Sequence, residues 1–278
     1  LIVSNQDNLA KCSDLINFSS MQIVILCGGL GTRLKEETDF RPKPMVPIGN
    51  RPILWHIMKI YAHYGFKDFV LALGYKGEMI KEYFQHYELM NNDVIMELGR
   101  PENNLIHQHH DELGWKVTLV DTGQETLKGS RLKRVEKYIT GDYFMATYGD
   151  GLSDVDIPAL LDFHRSHGKL VTITGVTPPS QFGKLSVSGN DVVSFVEKPQ
   201  DDSIINGGFF VFSRAIFDRL LYDDQCDLEY GTLETLAREG ELKLYRHDGY
   251  WANMDTFRDM EHLNKIWASG KAKWKLWN

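Results

Sequence analysis

The chain has 278 residues, 42% hydrophobic and 25% charged, an ordinary globular balance with enough length for one large α/β domain or two small ones. Its formal net charge of −7 argues against general nucleic-acid affinity, and no run of 18 apolar residues offers a membrane span. Cys12, Cys27 and Cys226 are odd in number, widely spaced and without a CxxC pair, which suits a reducing cytoplasm and offers no zinc site.

Residues 1–20 lack the basic start, apolar centre and small-residue cleavage pattern of a secretory signal, and read as an N-terminal extension outside the fold. Ile23-Val24-Ile25-Leu26 then reads as a short strand buried on both faces. Gly28, Gly29 and Gly31 follow, and such glycines uncover backbone N–H groups and permit positive φ, so the turn can wrap a phosphate. Arg33 adds a fork of donors suited to phosphate oxygens. Arg41-Pro42-Lys43-Pro44 sets a further cation on a proline-stiffened loop. Two better-known loops do not fit. Leu34 stands where a dinucleotide motif needs its third glycine, and Gly31-Thr32-Arg33 stands where a P-loop needs Gly-Lys-Ser/Thr.

Pro52 opens a helix from Ile53 to about Tyr64, stopped by Gly65. A buried strand Asp68–Leu73 and a helix Glu78–Tyr87 come next, and this alternation argues for a parallel sheet with helices on both faces. The Asn-rich stretch 91–114 carries His107, His109, His110 and Asp111, yet the spacing matches no zinc pattern, so it reads as a solvated loop or edge hairpin. A strand Lys116–Val120 leads to a helix from Ser130, its N-cap, to about Tyr138. Arg131 then falls in the first turn, where the helix dipole disfavours a cation unless an anion lies between them. Strand Tyr143–Tyr148 ends in Gly149-Asp150-Gly151, placing a carboxylate where open parallel sheets bind ligands, although Asp is also an ordinary turn residue.

A helix Ile157–His167 and a strand Leu170–Val176 follow, and after Thr177 the pattern changes. Lys184–Val187 and Val192–Glu197 read as a hairpin, with Lys198-Pro199 beyond it. Asn206-Gly207-Gly208 before the strand Phe209–Phe212 suits hydroxyl recognition or marks a strand-entry bulge. Helices near Arg214–Leu221 and Thr232–Glu239 precede a last strand Leu242–Arg246. The final helix begins at Met254-Asp255-Thr256, where Asp255 would serve as cap, and Trp267, Trp274 and Trp277 read as packing or subunit contact.

Gly29-Leu30-Gly31-Thr32-Arg33 and Pro42-Lys43 resemble the Gly-x-Gly-Thr-Arg…Pro-Lys signature of the sugar nucleotidyltransferase family. The wider text, with ILWHIMKIY, GYKGEMIKEYF, TYGDG, EKP and INGGFF, is similar from about Met21 onward to its glucose-1-phosphate cytidylyltransferase branch. The resemblance implies an α/β fold: a Rossmann-like mixed, mostly parallel sheet flanked by helices, with a smaller β-rich sugar-binding portion. It implies one domain over 21–278, with a nucleotide-binding core at 21–176 and a sugar-binding and oligomerisation part at 177–278.

By the same resemblance the chain is a cytoplasmic enzyme, a hexamer or tetramer. It would join CTP and α-D-glucose 1-phosphate into CDP-glucose and pyrophosphate, for dideoxysugar synthesis in surface polysaccharide. Leu26, Cys27, Gly28, Gly29, Leu30, Gly31, Thr32, Arg33, Lys43, Thr126, Arg131 and Gly149 would form the nucleotide pocket. Tyr148, Glu197, Lys198, Asn206 and Gly207 would meet the sugar phosphate, and Asp150 and Asp255 would hold Mg²⁺. Arg33, Lys43 and Asp150 carry the catalytic roles. A thymidylyl- or uridylyltransferase on the same scaffold, or a non-catalytic sugar-nucleotide sensor, are the alternatives.

The chemistry explains why such residues are needed. A phosphate ester has its second pKa near about 6, so the attacking oxygen is already ionised at neutral pH and no general base is required. The obstacle is repulsion, about 4 kcal/mol for two unit charges at ~4 Å and an effective dielectric of 20. A catalyst for this step is therefore rich in cations and positioning groups.

Overall fold

The computed structural model describes residues 21–107, 110–178, 183–197 and 203–277; residues 1–20, His109 and Lys198 lie outside that set. Every residue of β1 (Gln22–Cys27) is buried, because the strand carries a packed layer on each face. Ile23, Ile25 and Cys27 point into one core, Val24 and Leu26 into the other, as the period of two requires. That double burial is why the sequence here is an unbroken apolar run.

Three further strands, β2 (Asp68–Leu73), β3 (Lys116–Asp121) and β4 (Tyr143–Tyr148), run parallel to β1, which lies between β2 and β4 while β3 pairs with β2. With β5 (Val171–Val176), β6 (Ile205–Asn206), β7 (Phe210–Ser213) and β8 (Leu242–His247) they form one eight-stranded sheet, ordered β6-β5-β7-β4-β1-β2-β3 with β8 alongside β5. β7 is antiparallel to both β4 and β5, and β8 is parallel to β5. This is the expected mixed, mostly parallel, Rossmann-like sheet.

Helices cover both faces. Residues of α1 (Ile53–His63), α4 (Ile157–His167) and α5 (Phe257–Ala268) fill the core beneath Ile23 and Ile25. The core beneath Val24 takes Leu132 of α3 (Lys128–Arg134) and apolar residues between Ile216 and Leu236. α2 (Gly77–Gln85) follows β2, and a separate helix Tyr87–Asn91 stands where one continuous helix to Tyr87 was expected. The stretch 91–114 contains a hairpin, Asp93–Ile95 with Leu105–His107, that forms a separate two-stranded sheet, and the region after Thr177 contains the hairpin Lys184–Ser188 with Asp191–Val196.

Two helix starts differ from expectation. α3 begins at Lys128 after Leu127, with no side-chain cap, and ends at Arg134 before a separate turn Glu136–Tyr138. Ser130 lies inside it, where its hydroxyl accepts from the backbone of Cys226 at 3.0 Å, so a tertiary contact takes the oxygen that local sequence reserved for a cap. α5 is capped by Thr256 in a reciprocal box with Asp259, not by Asp255.

The tryptophan-rich tail packs around one imidazole. His56 is wholly buried; its Nε2 donates to the Ile48 carbonyl at 3.0 Å, and Trp274 Nε1 donates to its Nδ1 at 3.4 Å. Trp267 stands edge-on at 4.6 Å. Both ring nitrogens are thereby used by a neutral ring, and burial pushes the His56 pKa down to about 4. Because the folded value lies below the ordinary one, folded and unfolded chains are alike at neutral pH, but below about 6.5 only the unfolded chain takes up the proton. Stability should therefore fall as pH drops from about 6.5 to about 4, by on the order of 3 kcal/mol from this residue. Urea unfolding across that window checks it: His56→Gln should show a shallower loss than the parent chain, and an unchanged slope would contradict the assignment.

Candidate active site

The parallel strands β1 and β4 are neighbours, and their carboxyl ends release the glycine loop and the Gly149-Asp150-Gly151 turn side by side. A cavity of about 680 Å³ lies over these ends, lined by both loops. Its size falls within the usual ~300–1,000 Å³ of small-molecule sites, and open α/β sheets bind ligands at this edge.

Asp150 and Asp255 are far apart in sequence and are brought together by backbone. Gly151–Ser153 pairs antiparallel with Trp251–Asn253, and Met254 N donates to the Asp150 carbonyl at 3.0 Å. Because Thr256 and Asp259 cap α5, the Asp255 carboxylate is left to face the cavity. Lys43 comes from the proline-bounded turn, where extended Pro42 leads into a short helical turn Lys43–Met45. Its ammonium lies 2.7 Å from Asp150 Oδ2 and 2.7 Å from Asp255 Oδ1. Burial opposes the Lys43 charge, but the two carboxylates outweigh it and hold its pKa above the ordinary value, so the group is protonated at any working pH. Arg33 reaches Asp255 at 3.0 Å from the rim, with 72% of its side chain exposed.

Among the described residues no three or more His, Cys, Asp or Glu side chains gather into a complete metal cage. Mg²⁺, however, usually takes one or two carboxylates and fills its shell with phosphate oxygens and water. Two hard-oxygen ligands that already converge on one shared cation fit such an ion.

Arg131 lines the cavity, but its charge meets backbone oxygens where the helix dipole suggested an anion. It is 4% exposed. Its Nη1 donates to the Leu73 carbonyl (3.0 Å), Thr122 Oγ1 (2.8 Å) and the Gly123 carbonyl (2.6 Å). Nη2 donates to the carbonyls of Gly28 (3.0 Å) and Gln124 (3.1 Å). The guanidinium is thus held by backbone oxygens beneath the loop. A methyl group built on Gly28 would lie 2.2 Å from its Cζ, and one on Gly74 2.4 Å from Nη1, so these glycines make room for arginine. Gly29 has nothing within 4 Å of such a methyl, and it is exposed with Leu30 and Thr32. Gly31 has φ 64°, which a left-handed turn into Thr32–Leu34 requires. Cys27 is buried under the loop, and burial pushes its thiol well above the ordinary range, so it packs and is no nucleophile. The Thr126 hydroxyl donates to Asp224 at 2.8 Å and accepts from Arg134 at 3.0 Å. Gly149 permits a close approach, since a methyl there would meet Pro44 at 2.8 Å and the Leu26 carbonyl at 2.9 Å.

On the far side of β4 the backbone makes a second feature. β6 and β7 both pair antiparallel with β5, on either side of a bulge at Gly207–Phe209. Gly208 has φ 75° and Phe209 φ 47° there. The bulge sets Asn206 and Gly207 on the cavity wall with Tyr148. Glu197 does not join them: it is exposed beyond the Asp191–Val196 strand of a separate two-stranded ribbon and does not line the cavity. Sequence reading missed Lys128, Glu229, Trp251 and Asn253, which do line it. No motif marks them, because each arrives from a distant segment.

Residues 22–269 match the family described as nucleotidyl transferase. The chain belongs to the nucleotidyl transferase family. It is 50% identical over 259 residues to a glucose-1-phosphate cytidylyltransferase of Salmonella typhi, covering 92% of this chain and 100% of that one. A Bacillus subtilis protein named as a probable glucose-1-phosphate cytidylyltransferase is 44% identical over 257 residues, with 92% and 100% covered. The crystal structure of HddC from Yersinia pseudotuberculosis superposes with a TM-score of 0.65 at 25% identity, covering 89% of this chain and 99% of that one.

For this nucleotidyl transferase the structure gives Arg131 a measurable duty. Arg131→Ala should lower the unfolding free energy by at least roughly 3 kcal/mol, because several buried carbonyls lose a charged donor. Urea unfolding reads this directly. A variant of unchanged stability that loses only nucleotide affinity would mean that the guanidinium serves the ligand instead.

Proposed function

We propose that the protein transfers a cytidylyl group from CTP to α-D-glucose 1-phosphate, giving CDP-glucose and pyrophosphate. The observation that carries this reading is the meeting of Lys43, Asp150 and Asp255 beside an open glycine loop, in a chain half identical along its length to a glucose-1-phosphate cytidylyltransferase.

Each step asks the site to manage negative charge. The sugar phosphate oxygen attacks the α-phosphorus already ionised, so no residue need remove a proton. The exposed backbone at Gly29 and the rim guanidinium of Arg33 offer donors to the triphosphate, where charge grows as pyrophosphate departs. Lys43, kept protonated by its neighbouring carboxylates, places a cation in the cavity lining beside the reacting phosphates. Asp150 and Asp255 would hold Mg²⁺, and the chemistry such an ion supplies is neutralisation of phosphate oxygens. No cysteine or histidine chemistry is invoked.

Three outcomes test this reading. Pyrophosphate release from four nucleoside triphosphates against several sugar 1-phosphates should be fastest for CTP with glucose 1-phosphate, and should stop when a chelator removes Mg²⁺. Asp150→Asn should stay folded and lose about 10²-fold or more in turnover. Lys43→Ala should lose kcat more than CTP affinity. Steady-state kinetics with the reverse pattern would move Lys43 from transition-state stabilisation to ground-state binding.

A further inference from the structure

The cavity wall beside β4 carries a hydrogen-bond network that the phosphate chemistry does not use. At its centre is Glu229, positioned by Asp227, whose carboxylate accepts from the backbone N–H groups of Glu229 at 2.8 Å and Tyr230 at 2.9 Å. Glu229 Oε1 accepts from the Tyr148 hydroxyl at 2.5 Å and from Lys128 Nζ at 2.5 Å. The Tyr148 hydroxyl in turn accepts from Asn206 Nδ2 at 2.8 Å, and Asn206 Oδ1 accepts from Gly208 N at 2.9 Å.

Counting donors and acceptors shows what remains free. Burial, and then the Glu229 carboxylate, push the Tyr148 hydroxyl well above its ordinary pKa, so it keeps its one proton and spends it on Glu229. Tyr148 therefore has no donor left for a substrate. Asn206 has one amide N–H left, and Lys128 has further N–H groups. Glu229 Oε2 is buried and, among the described residues, has no hydrogen-bond partner. Glu229 lines the cavity, and a carboxylate can accept about four hydrogen bonds, of which two are present. A buried acceptor with no donor is unfavourable in the free protein, and a ligand hydroxyl relieves it once the carboxylate turns that oxygen toward the cavity it lines.

We infer that Glu229 is a specificity-determining residue for the sugar, its carboxylate accepting a hydrogen bond from a hexose hydroxyl of the sugar 1-phosphate. This inference rests on the proposed cytidylyltransferase reading and names a residue of that same site. A carboxylate repels phosphate but accepts from a hydroxyl, and the adjacent Asn206 N–H can donate to the same or a neighbouring oxygen. The sheet order supports the sugar over the nucleoside. The glycine loop follows central β1, the Gln124–Leu127 loop follows edge strand β3, and the Asn206–Gly208 bulge lies on the other side of β4. Glu229 is joined through Tyr148 to that bulge. Glu197 is exposed and does not line the cavity, whereas among the described residues Glu229 lines it and is bonded to Tyr148.

The test is a substrate-and-mutant cycle on the full chain with CTP, glucose 1-phosphate and its 2-, 3-, 4- and 6-deoxy analogues. The parent enzyme should use at least one analogue about tenfold or more less well than glucose 1-phosphate, since a site built to bond a hydroxyl rejects the analogue lacking it. Glu229→Gln should raise KM for glucose 1-phosphate by about tenfold, leave KM for CTP within about twofold, and bring that discrimination close to one. A merely structural role would lower kcat/KM for all the sugars alike and keep their ratios, which overturns the inference. So does a rise confined to KM for CTP, or a parent enzyme indifferent to every missing hydroxyl. If Glu229→Gln gives no soluble protein, Glu229→Asp, which keeps the charge and withdraws it by one methylene, carries the same comparison. A parent chain that releases no pyrophosphate from CTP and glucose 1-phosphate would instead sink the underlying reading.

Discussion

One ammonium shared between two carboxylates ties the catalytic end of this protein together. Lys43, Asp150 and Asp255 come from a proline-bounded turn, a strand end and the approach to the last long helix. Alone, the two acids would repel each other, and burial would discharge the lysine. Together they hold the Lys43 ammonium charged, at 2.7 Å on each side. The short antiparallel ladder of Gly151–Ser153 with Trp251–Asn253 makes the meeting possible, because it fixes the backbone on which both acids stand.

A second buried cation does structural work beside it. Arg131 lies under the glycine loop, with its forked donors turned to carbonyl oxygens from the ends of β1, β2 and β3. Burial, and then nearby Arg134, lower its pKa, and the ring of backbone dipoles offsets that cost. The loop can therefore keep its upper surface open for a ligand while its lower surface is held. One charge meets two carboxylates and the other meets backbone carbonyls, and a sequence motif does not separate the two.

The opposite wall is a hydrogen-bond network of Asn206, Tyr148, Lys128 and Glu229. A bulge that forces Phe209 to positive φ is uncommon outside glycine, and it is held by packing, since Phe209 is wholly buried and stacks on Tyr61 at 5.8 Å. Thr174 Oγ1 fixes the bulge by donating to the Phe209 carbonyl at 2.7 Å. The result is a rigid frame for Asn206, Tyr148 and Glu229. Such a frame suits hydroxyl recognition, where direction matters more than net charge.

Local sequence determined much of this protein. The bounds of β2, β4 and α4 were legible because each has a short-range cause: an apolar run, a proline start, a glycine stop. The glycine loop and Lys43 stood out because residue type and turn chemistry suit phosphate, whereas Asp150 was singled out only by the family resemblance. Only the tertiary structure decided the partners. Ser130 gave up its cap to Cys226, Asp255 was released by Thr256, and Arg131 turned to carbonyls, each because a segment distant in sequence supplied a better partner. Glu229 had no signal at all, since a carboxylate acquires a role only from what folding places beside it. Periodicity acts within a few residues along the chain, whereas hydrogen bonds and ion pairs are chosen by distance in space.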